Sequence, residues 1–216
     1  MDFGKAFTFV FEDPDWIKKV LMAALFSLIP ILGTFVSMGW AMEAGQRVIR
    51  QQQPALPDVD FGKHLSLGFK VFLIGLGYAL PMIIITIPIS IVSAMVDSSD
   101  SMPTVVMVVS LCCGGLAFLY GLLLMVIMPA AMSNFLATEQ IGAAFRFGEV
   151  FGLVRAAPGA YLMVLLGGIV TGFIGSLGSI ACVIGVVVTS AYAMVVMGHL
   201  YGQAYRASIA NGALLS

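Results

Sequence analysis

Two stripes of polar side chains have a spacing suited to recognition chemistry. His199, Gln203 and Arg206 stand at i, i+4 and i+7, and Glu43, Arg47 and Arg50 repeat the interval. Residues so spaced share one face of a helix. Guanidinium groups beside an imidazole and an amide suit an anion that accepts several charge-assisted hydrogen bonds, such as an anionic lipid headgroup or a partner's acidic segment. Joined by Lys18 and Lys19, the stripes predict a basic pocket at a membrane face, with Arg47, Arg50, His199, Gln203 and Arg206 as its contacts. The plainer reading makes them ordinary interfacial charges, with Glu43 and Arg47 an exposed pair worth about 0.3–0.5 kcal/mol.

Other chemistry is missing from the chain. The two histidines, His64 and His199, lie in no HExxH or comparable spacing, so no metal site is expected and both read as solvated interfacial residues. No GxSxG, Walker or GxGxxG pattern stands in a strand-turn-helix context. Cys112, Cys113 and Cys182 lie inside apolar runs without a CxxC pair and read as small apolar fillers. Between the interfacial ends of the apolar segments there is no Asp, Glu, Lys or Arg of the kind that proton relays and ion pathways use. The expectation is a protein that is not an enzyme, has no cofactor and, with a net charge of −1, binds no nucleic acid.

The elements that must position the stripes are membrane helices. Of 216 residues 60% are apolar and 10% charged, with a mean hydropathy of +1.05, against about 25% charged in soluble domains. The fold class is therefore all-α and polytopic, a single membrane domain over residues 1–216. Transmembrane segments are predicted at 67–96, 104–132, 159–177 and 180–204, with an interfacial lead-in at 1–19 and an amphipathic interfacial helix at 134–157. In the lead-in, Asp13 is the expected N-cap, Pro14 opens a helix, Trp16 anchors at the interface and Lys18 and Lys19 snorkel. The polar lead exceeds that of a cleavable signal, so the first apolar segment is expected to be retained.

Residues 20–42 decide the topology. A straight helix of that length is about 34 Å, enough to cross a hydrocarbon core of roughly 30 Å, but Pro30 and Gly33 stand at its centre. If it spans, the ten Lys and Arg residues divide into Lys5, Lys18 and Lys19 against the other seven. If it re-enters, all ten share one side, and the opposite face keeps Asp97 and Asp100. Basic residues favour the cytoplasmic side, which selects a proline-broken re-entrant hairpin beside four full spans. The N- and C-termini are then cytoplasmic and the location is the cell membrane. Against this stands the penalty of irregular backbone near Ile29 to Gly33, tolerated only when protein buries it.

Small residues form two rows leading up to the turn at Gly178-Ser179: Gly167, Thr171, Gly175 and Ser179, and beside them Gly168, Gly172 and Ser176. Such a face suits close helix packing, within the monomer or in a homo-oligomer. The lead-ins Asp2-Phe3-Gly4-Lys5, Asp60-Phe61-Gly62-Lys63 and Arg146-Phe147-Gly148-Glu149 echo one another as starts of surface helices.

Residues 11–19 (FEDPDWIKK), 28–33 (LIPILG), Leu56-Pro57, Asp60-Phe61, 78–81 (YALP) and 198–206 (GHLYGQAYR) together resemble the prokaryotic membrane proteins grouped as domain of unknown function 4013. That resemblance implies a small integral membrane protein and transfers no functional residue. The favoured function is a non-enzymatic structural or accessory subunit of a membrane assembly, in contact with membrane lipids. The alternative is a carrier or channel for a neutral or lipidic small molecule, motivated by the broken first segment and by Pro81, Pro88 and Pro129. A polar cavity past Ser27, Thr34, Thr86 and Thr189 would favour transport, and a large apolar outer groove the accessory role.

Overall fold

Helix capping explains the repeated Asp-Phe-Gly-Lys. Asp2 Oδ1 accepts the Lys5 backbone N–H at 2.9 Å, and Asp60 Oδ1 accepts that of Lys63 at 2.9 Å. Each aspartate thereby satisfies one orphan donor of a first helical turn. Helices α1 (Phe3–Thr8) and α4 (Phe61–Ala94) begin at the phenylalanine, as does α6 (Phe147–Ala156), where Arg146 pairs with Glu149 across the first turn. The second echo thus opens a long apolar helix rather than a surface one.

The structure, a computed structural model, describes residues 1–94 and 104–212, without the side chains of 105 and 181–184. The expected polar turn at 97–103, with Asp97 and Asp100, and the Cys182 side chain lie outside the described residues. The remaining helices are α2 (Trp16–Ser27), α3 (Leu32–Ile49), α5 (Thr104–Thr138), α7 (Pro158–Leu177) and α8 (Cys182–Ala210), with 3-10 turns at Phe9–Glu12, Ile141–Phe145 and Gly178–Ala181. No strand occurs among the described residues. Four helices, α4, α5, α7 and α8, are long and apolar enough to cross a membrane. Their outward side chains include Leu111 at 77% and Phe173 at 68% exposure, a surface matched to hydrocarbon rather than water. Cys112 shares that exposed surface instead of filling the interior.

Residues 20–42 do not form one helix. Helix α2 stops at Ser27, the break holds Pro30, and Ile31 takes a left-handed φ of 66° before α3 starts at Leu32. With twelve residues α2 is about 18 Å long, well short of roughly 30 Å. The two helices fold back on each other: Ser37 Oγ donates to the Ala23 carbonyl at 2.8 Å, and a Cβ on Gly33 would strike the Phe26 carbonyl.

Helix α3 is the buried centre of the molecule. A Cβ on Gly39 would collide with the His64 carbonyl of α4, and one on Gly68 with the Phe35 carbonyl of α3. On its other side, a Cβ on Gly198 of α8 would collide with the Ala41 carbonyl. Backbones approach this closely only where side chains are absent. The small-residue face of α7 divides instead. Gly167 packs on Leu200 and Thr171 is buried, but nothing lies within 4 Å of a Cβ built on Gly172 or Gly175, and Ser176 and Ser179 are exposed.

The interfacial helix expected over 134–157 is also divided. Helix α5 continues to Thr138, where Glu139 takes a φ of 59° and Gln140 becomes extended. A left-handed residue followed by an extended one cannot carry an α-helix onward. The chain makes a 3-10 turn and then restarts as α6.

Candidate functional site

Glu43 stands in the C-terminal half of α3, where that helix meets the first turn of α4. It is 5% exposed, and His64 opposite it is 0% exposed. The expected exposed pair and solvated imidazole are therefore both corrected: the tight crossing at Gly39 and Gly68 draws these side chains inside. Asp60 N–H donates to His64 Nδ1 at 3.0 Å, so the ring proton sits on Nε2, which donates to Glu43 Oε2 at 2.7 Å. Glu43 Oε1 takes Lys63 Nζ at 2.7 Å and Arg47 Nε at 3.1 Å. Burial alone would raise the carboxyl pKa. The hydrogen bonds from His64 and Lys63 and the Lys63 charge outweigh it and hold Glu43 down at about 2.

The loop between α3 and α4 is clasped by side chains of the α2–α3 hairpin. Arg47 Nη1 donates to the Pro54 carbonyl at 3.1 Å, Lys19 Nζ to Leu56 at 3.3 Å and buried Trp40 Nε1 to Pro57 at 2.9 Å. Lys19 also pairs with Asp13 at 2.7 Å and Asp58 at 3.1 Å. Desolvation lowers its pKa, but these two carboxylates overcome that effect and leave the ammonium above its ordinary range. Lys19 is thus buried rather than snorkelling. Asp13 does not cap α2; its Oδ1 accepts the Asp15 N–H at 2.9 Å while its other oxygen holds Lys19, so the helix starts at Trp16. The start of α2 and the segment after α3 are consequently tied together.

The five residues predicted to share a basic pocket are split. Arg47 is engaged with Glu43 and Pro54, and Arg50 pairs with Glu139, to which Gln46 also donates. His199, Gln203 and Arg206 line a different cleft of about 560 Å³, between α1, the residues after α3 and the end of α8. His199 is 4% exposed, not solvated, and stacks on Phe9 with ring centroids 4.2 Å apart. Gln203 is locked to the chain start: its Oε1 accepts the Asp2 N–H at 2.7 Å and its Nε2 donates to the Asp2 carbonyl at 2.9 Å. Lys5, which no spacing in the sequence connected to this stripe, joins the cleft wall because α1 lies against the end of α8.

A second cavity, of about 550 Å³, opens between α3, α4, α5, α7 and α8. Its walls are apolar and soft. Met38, Met42, Met128, Met132, Met194 and Met197 line it beside Gly168, Gly172 and Gly175. The small residues of α7 therefore border open space here and hollow out a groove. Of the hydroxyls expected along a polar passage, Ser27 donates to the Ala24 carbonyl and Thr86 to that of Ile83 within their own helices, and Thr189 donates to Gly185 of its own helix and across to Gly175 of α7. Among the described residues no three His, Cys, Asp or Glu side chains come together as a metal-ligand set.

The family described as protein of unknown function (DUF4013) matches residues 22–184. The matched region contains the hairpin break and the Glu43–His64 pair. The opening residues 11–19 and closing residues 198–206, which carried part of the resemblance, lie outside it. No curated protein and no solved structure matches the chain.

Proposed function

The chain belongs to the DUF4013 family of proteins of unknown function, and from that premise we propose that it is a non-enzymatic accessory subunit of a membrane assembly. The observation that carries this reading is the methionine-lined groove bounded by α3 and by four helices able to cross a membrane. In hydrocarbon, helix association depends on close van der Waals contact with small residues, and methionine adapts to irregular partners. Gly168, Gly172 and Gly175 supply the close approach and the methionines the adaptable lining, a pairing suited to one transmembrane helix of a partner subunit. The bonding of Ser27, Thr86 and Thr189 to backbone carbonyls weighs against a polar passage, and so against a carrier or channel.

The same reading makes α2 and α3 a re-entrant hairpin, supported by the short α2 and by the ties from Lys19 to Leu56 and Asp58. All ten Lys and Arg residues then share the cytoplasmic side with both termini, in the cell membrane. A photo-crosslinking residue at Met197 or Gly172, activated in native membranes, should give one protein adduct of the same mass at both sites. A control at Leu111 should give none. If the groove positions yield no protein adduct, the accessory reading falls; an adduct of twice the chain mass identifies the partner as a second copy.

A further inference from the structure

The cleft beside His199 has no role in the accessory reading, and its chemistry is specific. Gln203 Oε1 must be the oxygen, because the Asp2 backbone N–H can only donate to it. Gln203 Nε2 then donates to His199 Nδ1 at 3.1 Å, which leaves the ring proton on Nε2. That Nε2 has no hydrogen-bond partner among the described residues, where the Tyr161 hydroxyl is the one fully buried side-chain polar atom left unpaired, so Nε2 keeps some accessible surface. A side chain that is 4% exposed, with one ring nitrogen unpartnered among the described residues, therefore lines a space of about 560 Å³, within the 300–1,000 Å³ typical of small-molecule sites. An N–H at the wall of an open cleft is available to a ligand acceptor.

The wall beside it carries Lys5 and Arg206, neither of which forms an ion pair among the described residues. Three donors around one cleft suit an anion with several oxygens. Asp2 and Glu12 also line the cleft, so its side-chain charges balance. That balance disfavours polyphosphates and nucleic acid, and it suits a single phosphate attached to a polar, neutral or cationic remainder.

We propose that this cleft binds the phosphate ester of a small polar molecule, with His199 Nε2–H, Lys5 and Arg206 on the phosphate and Gln51, Gln52 and Glu12 beside the remainder. A lipid headgroup and a soluble phosphate ester share this chemistry, and two arms separate them. In detergent, the full chain is titrated calorimetrically with glycerol 3-phosphate and with inorganic phosphate. In nanodiscs of equal phosphatidylethanolamine, phosphatidylglycerol and phosphatidylcholine, lipids retained by the released protein are counted by native mass spectrometry. Each measurement is repeated with a Lys5→Gln/Arg206→Gln double variant, whose changes lie on exposed side chains, and with its unliganded melting temperature as a fold control. Binding in either arm that the double variant weakens at least tenfold, without a change in that temperature, supports the site, and the responding arm names the source. Absence of binding in both arms, or binding the double variant leaves unchanged, overturns it.

Discussion

A buried carboxylate in the C-terminal half of α3 holds three donors at once, and that arrangement makes Glu43 a measurable contributor to stability. Its folded pKa of about 2 lies below the ordinary 4.5. Stabilisation from this group is therefore complete above about pH 4.5 and is lost as pH falls through that value toward 2. That difference in pKa corresponds to about 3 kcal/mol. In thermal unfolding of the detergent-solubilised protein, the stability gap between wild type and Glu43→Gln should be widest near pH 6 and narrow steadily below pH 5; a gap independent of pH would disprove the assignment. The sequence placed Glu43 and Arg47 correctly on one helical face. It could not show that His64 and Lys63, twenty residues away, would close over that face, because helical spacing says which residues are neighbours and not what they meet.

At the scale of elements, the tightest packing is on α3, α4 and α8 rather than on α7. Glycine rows on α7 were visible in the sequence, but their partner was not. Gly167 packs on Leu200 of α8, whereas Thr171, Gly172 and Gly175 border the groove. The Gly198-xxx-Gly202 pattern was an available signal for the α3–α8 contact, since small residues four apart form such seams. Gly198→Ala should destabilise the protein by about 1–3 kcal/mol, because the added methyl meets the Ala41 backbone carbonyl. Gly172→Ala should be neutral or stabilising by up to about 1 kcal/mol, because its methyl meets nothing and alanine favours the helix. Chemical denaturation of both variants decides between the two faces; equal losses would mean that α7 packs as tightly as α3.

For the whole molecule, the ties between Lys19 and the segment after α3 place both ends of the hairpin together. In a variant with its cysteines replaced by serine, Asp15→Cys and Gln53→Cys should react with a membrane-impermeant maleimide from the same side of the membrane. Labelling from opposite sides would rule out the re-entrant topology and restore a fifth crossing. What the sequence by itself determined is the class of molecule: an all-helical membrane chain, with four long apolar runs and a proline-broken fifth. Hydropathy and charge are properties summed along the chain, and they survive any arrangement of the helices. Only the tertiary structure decided that Glu43, His64, Lys19 and His199 are buried, that Arg47 and Arg50 are engaged away from His199, and that Lys5 joins His199, Gln203 and Arg206 around one cleft. Each of those outcomes depends on helix faces that meet across long sequence separations, where a glycine lets two backbones touch and a neighbouring polar side chain must find its partner inside.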